Sequence, residues 1–272
     1  QLAATFWGAV LLSVVLAWIP GGHYALYPFA LLGTWAHECG HGLYEQGLPR
    51  QLVGTGLNRA AGMGIHESQS RLWENLVGRS LPFWEYFYPK LQARFPSQLG
   101  GVTLPRFYKA INKVERSLIR VEADEATYNL HVMLRVELEI ALIEGAIAVK
   151  DLPEAWNSRM RDYLGMTPPN DAVGVLQDIH WSAGLLGYFA TYTLGNLIAA
   201  QLWERFEAIE PARDDQIRRG DFSALRSWLQ SEIHQYGRMY KPQELVERVT
   251  GSSIDPEPYL RYLERKYTGI DA

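Results

Sequence analysis

An intrachain disulfide is excluded first. Cys39 is the only cysteine in the 272 residues, so no intrachain bridge can form. A reducing, cytoplasmic compartment is the expectation that follows. Excess positive charge is also missing. Lys and Arg number 26 against 30 Asp and Glu, a net charge of −4, which leaves no electrostatic footprint for nucleic acid. There is no internal repeat and no low-complexity linker. Charge of either sign is absent from Gln1 to Ala36. Within that stretch Leu2–Ile19 is mostly apolar and is closed by Pro20-Gly21-Gly22. It has no basic leader and no small-residue cleavage pattern, which argues against a secretory signal. A buried helix and a membrane anchor are both open, with the buried helix preferred. The chain therefore divides into an apolar N-terminal segment, 1–33, and a remainder, 34–272.

Hydrophobic residues make up 47% and charged residues 21%, the balance of a globular protein with ample core. Beyond residue 37 the periodicity is mainly helical. Residues 66–95 carry apolar and aromatic side chains at three- and four-residue steps, and Pro82 predicts a kink. Thr103-Leu104-Pro105 predicts the start of one long helix to about Val149, with Leu104, Phe107, Ile111, Val114, Leu118 and Val121 along one face. Asp151-Leu152-Pro153-Glu154 opens another helix, 165–174 is a loop, and 174–208 is one or two buried helices. The tail from Asp221 to Tyr267 gives three or four amphipathic helices. Glycine-broken short runs over 50–64 predict a small pair of strands. The fold class is mainly α with at most a little β.

Against that background "TWAHECGHGLYEQGLP", 34–49, stands out. On a helix His37 and His41 share one face, one turn apart. Two imidazoles at that separation can grip a zinc ion. Glu38 lies beside the first ligand, near enough to take a proton from water polarised by the ion. This is the H-E-x-x-H pattern of metal-assisted hydrolysis. Cys39 projects from a different side of the helix. A third ligand is required, and Glu67 in "GIHESQSRLWENLVGRS" is the best candidate. It shares a helix face with Ser70, Arg71 and Glu74, so Arg71 can orient it. An ordinary polar helix face explains the same residues.

"HECGHGLYEQGLP" followed by "GIHESQSRLWENLVGRS" resembles the M32 metallocarboxypeptidases, the carboxypeptidase Taq type. "IRVEAD" (119–124), "GVLQDIHW" (174–181), "GYFATYTLGN" (187–196) and "HQYGRMYKPQELVERVTG" (234–251) agree with that family in order, although Ala190 stands where proline is usual. The resemblance implies a helical, gluzincin-like zincin that removes C-terminal residues from peptides. It implies His37, His41 and Glu67 as ligands of zinc, or of cobalt, and Glu38 as general base. It implies Arg120 on the substrate's terminal carboxylate, Tyr192 stabilising the oxyanion or positioning the peptide, and His180, Gln177, Asp178 and Arg71 along the cleft. It also implies a homodimer. Read from the residues alone, Arg120 can instead pair with Asp124 one turn on, and His180 and Tyr192 can be core side chains. Two motifs that precede the zinc helix in the family, H-P-F and D-x-R-x-T, are absent, and family members are roughly twice as long. The expectation is a chain carrying the C-terminal half of the family. A catalytically impaired remnant that binds metal or a partner, and a membrane-tethered zincin, stand as alternatives.

Overall fold

The computed structural model describes residues 27–271, with side chains from 33 to 270. The His-rich stretch lies on α1, Tyr27–Gly47. After a turn-rich segment, α2 covers Met63–Arg71 and runs directly into a wider π-helical stretch, Leu72–Val77. Then come α3 (Leu81–Arg94), α4 (Pro96–Leu99), α5 (Leu104–Ile111), α6 (Tyr128–Ile143) and α7 (Leu152–Leu164). The chain ends with α8 (Ala190–Ile209), α9 (Arg213–Arg218), α10 (Ser223–Glu232), α11 (Pro242–Thr250) and α12 (Glu257–Asp271). Among the described residues no helix is long and apolar enough to cross a membrane. The apolar run Leu2–Ile19 lies outside the described residues.

The small strand pair expected over 50–64 does not form. That segment is a 3-10 turn, Arg50–Leu52, followed by open turns. Its backbone groups find other partners. The Ala61 amide donates to the Tyr44 hydroxyl at 3.1 Å, and the Leu57 carbonyl accepts from the Arg238 amide at 2.9 Å. Pro82 does not kink a helix either. It sits in the first turn of a new one, where proline's missing N–H costs nothing, and the Ser80 hydroxyl accepts from the Phe83 amide at 3.4 Å.

The long helix expected from 104 to 149 is broken over 112–127, and the reason is local side-chain competition for backbone groups. Asn112 Nδ2 donates to the carbonyls of Tyr108 and Arg79. The Asp124 carboxylate accepts from the amides of Glu115, Ala126 and Thr127 and from the Thr127 hydroxyl. Asp124 is thereby committed to a turn and is not the ion-pair partner of Arg120. Next to it, buried Glu125 accepts from the hydroxyls of Tyr262 and Tyr267 and pairs with Lys266, which pins α12 beneath this loop. Likewise, of the 174–208 run only 190–208 is helical, within α8. Residues 174–189 form turns that use glycine at φ +72° (Gly184) and +78° (Gly187).

The main core joins α1, α2, α8 and the tail through Tyr44, Ile65, Leu72, Ile198, Leu202 and Leu245. α2 lies between α1 and α8. The closeness of that sandwich depends on two glycines. A Cβ on Gly40 would meet the Gln69 carbonyl oxygen at 2.5 Å, and one on Gly195 would meet Glu67 Cγ at 2.4 Å. A second core packs α6 on α7 around Leu134, Trp156 and Met160.

Candidate metal centre and the adjoining arginine cluster

The glycine contacts bring the three expected ligands to one point. His37 and His41 come from α1 and Glu67 from α2. The two imidazole Nε2 atoms are 3.2 Å apart, and Glu67 Oε2 lies 3.7 Å from the first and 3.4 Å from the second. Ion–ligand bonds of about 2.0–2.1 Å in tetrahedral array put ligand atoms about 3.3 Å apart. The observed triangle therefore has the size of one face of such a tetrahedron. Two imidazoles and a carboxylate suit a divalent transition ion. Glu38 follows the first ligand on α1 and is solvent-exposed.

The three candidate ligands are held from behind. Arg71 Nε donates to Glu67 Oε1 at 2.7 Å, which leaves Oε2 facing the imidazoles. His37 turns its other nitrogen, Nδ1, to Glu74 Oε2 at 3.0 Å. Glu74 in turn accepts from Arg71 Nη1 at 3.1 Å. Burial pushes Glu74 up, but Arg71, His37 and Arg79 outweigh it and hold the carboxyl at about 2. Burial likewise raises Glu67, and the hydrogen bond from His41 together with Arg71 and His37 brings it below the usual range. The outer nitrogen of His41 meets a different group, the His66 ring, whose Nε2 lies 3.0 Å from Glu45.

A second polar cluster adjoins this one. Arg120 is buried, at 6% exposure. Its Nε and Nη2 donate to Asp178 Oδ1 at 3.1 and 2.7 Å, and its Nη1 donates to the Tyr128 hydroxyl at 2.7 Å. Asp178 Oδ2 accepts from Arg135 Nε at 2.6 Å. One carboxylate thus serves two buried guanidinium groups, and burial's upward push on Asp178 is overcome by Arg135 and Arg120. Gln177 is spent on the chain itself: its Oε1 accepts from the Arg120 amide, and its Nε2 donates to the carbonyls of Leu118, Val173 and Gly174. His180 Nε2 and the Tyr192 hydroxyl are 3.0 Å apart. Burial and Arg120 lower His180, while burial raises Tyr192 to about 12, so near neutrality the first is uncharged and the second keeps its proton. Arg120 lies over the Tyr192 ring, 4.8 Å from its centroid.

Tyr128 joins the two clusters. Its ring carries Arg71 at 4.4 Å, and its hydroxyl receives Arg120. Arg71 is therefore buried between Glu67, Glu74 and Tyr128, at 9% exposure, rather than free in an open cleft. Sequence reasoning missed Tyr128, Arg135, Glu139 and the role of Glu74. Arg135 and Glu139 stand one turn apart on the buried side of α6. Glu139 accepts from Trp181 Nε1 and the Gly187 amide, which fastens the 174–189 turns that carry Asp178 and His180. The available signal was Arg135 and Glu139 at i, i+4 among the apolar positions Val132, Leu134, Val136 and Leu138, because charge on a buried face needs a partner.

Comparison with known proteins places this geometry. The family model described as carboxypeptidase Taq (M32) metallopeptidase matches residues 23–267. Thermostable carboxypeptidase 1 of Thermus thermophilus is 53% identical over 240 residues, 88% of this chain and 47% of the relative. Carboxypeptidase 1 of Bacillus subtilis is 43% identical over 89% of this chain and 48% of its own length. The crystal structure of an M32 carboxypeptidase from Deinococcus radiodurans R1 superposes with a TM-score of 0.84 at 47% identity, over 86% of this chain and 48% of that one. The chain thus spans about half the length of the relatives it matches. A tetrahedral-sized ligand triangle and a family match across most of the chain lead to one conclusion: this chain belongs to the carboxypeptidase Taq (M32) metallopeptidase family.

Proposed function

We propose that the chain carries the metal-holding half of a gluzincin-like carboxypeptidase that releases C-terminal residues from peptides. The observation that carries this reading is the triangle of His37, His41 and Glu67 beside a buried arginine cluster. Zinc is the ion proposed, and cobalt suits the same donors. Such an ion supplies Lewis acidity, making water acidic near neutral pH and polarising a carbonyl. Exposed Glu38 takes the proton from the attacking water and delivers it to the leaving amine. Tyr192, protonated and hydrogen-bonded to neutral His180, donates to the developing oxyanion. Arg120 recognises the terminal carboxylate, and the planar two-pronged guanidinium suits that task. Asp178 and Gln177 position Arg120 rather than touching the substrate. A homodimer is part of the same proposal.

The test is hydrolysis of a blocked dipeptide by this polypeptide, with and without added zinc. Turnover that a chelator abolishes, and that Glu38→Gln lowers roughly 10²–10⁴-fold, supports the reading. Stoichiometric zinc without turnover favours the second reading, a non-catalytic metal-binding remnant. Two observations favour that alternative. Three of the five N–H donors of Arg120 are already committed to Asp178 and Tyr128. Beside them Val121, Leu176 and Ile179 are 73%, 71% and 75% exposed, an apolar rim that wants cover.

A further inference from the structure

Each ligand imidazole has two nitrogens, and what the outer one meets fixes the ring. The two rings differ in this respect. His37 Nδ1 faces a carboxylate oxygen of Glu74 at 3.0 Å, whereas His41 Nδ1 faces another imidazole. Glu74 is itself fixed. Arg71 donates to it from Nη1 and to Glu67 from Nε, so a single buried guanidinium holds the third ligand and the partner of the first together. Arg79 approaches Glu74 from the other side, with Nη2 at 3.6 Å. Two of the three ligand arms are therefore tied to one carboxylate–guanidinium brace behind them.

We propose that Glu74, locked by Arg71, is a positioning residue that orients the His37 ring and thereby sets the affinity of the centre for its ion. The inference rests on the reading that His37, His41 and Glu67 hold a divalent cation. With Nδ1–H directed to Glu74, the lone pair of Nε2 is fixed toward Glu67 and His41, and the neighbouring negative charge makes it a stronger donor. Without the carboxylate, the ring is free to rotate or to take the other tautomer.

The experiment is competition for Zn²⁺ between the full-length chain and a chromophoric chelator, for the unaltered protein, Glu74→Gln and Glu74→Asp. Glu74→Gln is expected to weaken zinc binding roughly 10–100-fold, and Glu74→Asp, which keeps the charge, by less. The visible spectrum of the Co²⁺-loaded protein should change with Glu74→Gln, since ring orientation alters the ligand field. A merely structural role moves the unfolding midpoint and leaves that spectrum alone. Should Glu74→Gln fail to fold, Arg79→Met, which removes the outer cation from Glu74, must show a smaller loss of zinc affinity in the same direction. Zinc affinity within twofold of the unaltered chain, in whichever variant folds, overturns the inference and leaves the metal reading intact. An unaltered chain that binds no zinc overturns both.

Discussion

The metal cradle and the arginine cluster sit side by side but are assembled in opposite ways. In the cradle the key pairs are close in sequence: His37 with His41, Glu67 with Arg71, and Arg71 with Glu74. Helical spacing alone aligns them, and one helix–helix contact, permitted by Gly40, brings the two sets together. In the cluster Arg120 meets Asp178 across 58 residues and Arg135 meets it across 43. No helix period aligns these groups. They depend on a broken helix, a glycine-bearing run of turns and the buried polar stripe of α6. A site built on local spacing can be read and altered piecemeal. A site built on distant contacts is coupled to the stability of the whole fold.

Four experiments test that contrast. The largest effect expected is on the cradle: Glu67→Ala removes the proposed third ligand and should abolish stoichiometric zinc binding in a chelator competition, a loss of roughly a hundredfold or more. For the cluster the expected damage is to folding. Asp178→Asn leaves two buried guanidinium groups without a counter-charge and should cost about 3–5 kcal/mol in urea unfolding, with zinc affinity unchanged within twofold. Loss of zinc affinity in that variant would mean the two regions are one unit.

Acid should weaken both regions alike. His131, near the cluster, is lowered to about 4 by burial and by Arg135 and Arg120. His234, beneath the cradle and hydrogen-bonded to Gln69, is lowered to about 4 by burial and by Arg226. Each stays neutral in the folded state down to about pH 4, while the unfolded chain takes up the proton near pH 6.5. The unfolded state therefore binds more protons across that window, and stability falls as the pH drops through it. Each group should contribute roughly 3 kcal/mol to that fall. His131→Asn and His234→Gln should each flatten the pH dependence of the unfolding midpoint, and an unchanged slope would refute the assignment. The smallest effect expected is at the seam between helices. Gly195→Ala presses a methyl group on Glu67 Cγ and should cost about 1–3 kcal/mol while also weakening zinc binding.

These two regions also mark how far the sequence could be read. His37 and His41 were legible as a candidate pair because a helix period and a known ligand chemistry converge on them, whereas Glu67 was told from an ordinary polar helix face only by the family resemblance. The family was legible from ordered motifs running from the helix of His37 and His41 to the tail. Helix starts marked by proline were legible at Pro105 and Pro153. The break after Asn112 was hidden, since it arises from asparagine and aspartate side chains taking backbone hydrogen bonds, which apolar periodicity does not register. The strands expected over 50–64 failed because Tyr44 and Arg238, distant in sequence, supply the partners a ladder would have given. Arg135 escaped notice because its partner lies across the fold.

The shared carboxylate of Asp178 has a consequence for how this chain can change over evolutionary time. Within the trio of Arg120, Arg135 and Asp178, replacing either arginine leaves the carboxylate paired with the other, whereas replacing Asp178 strands both guanidinium groups. The carboxylate is therefore the member that neutral drift should spare longest. Lineages that lose it should also lose or re-partner both arginines, even where neighbouring surface positions vary freely.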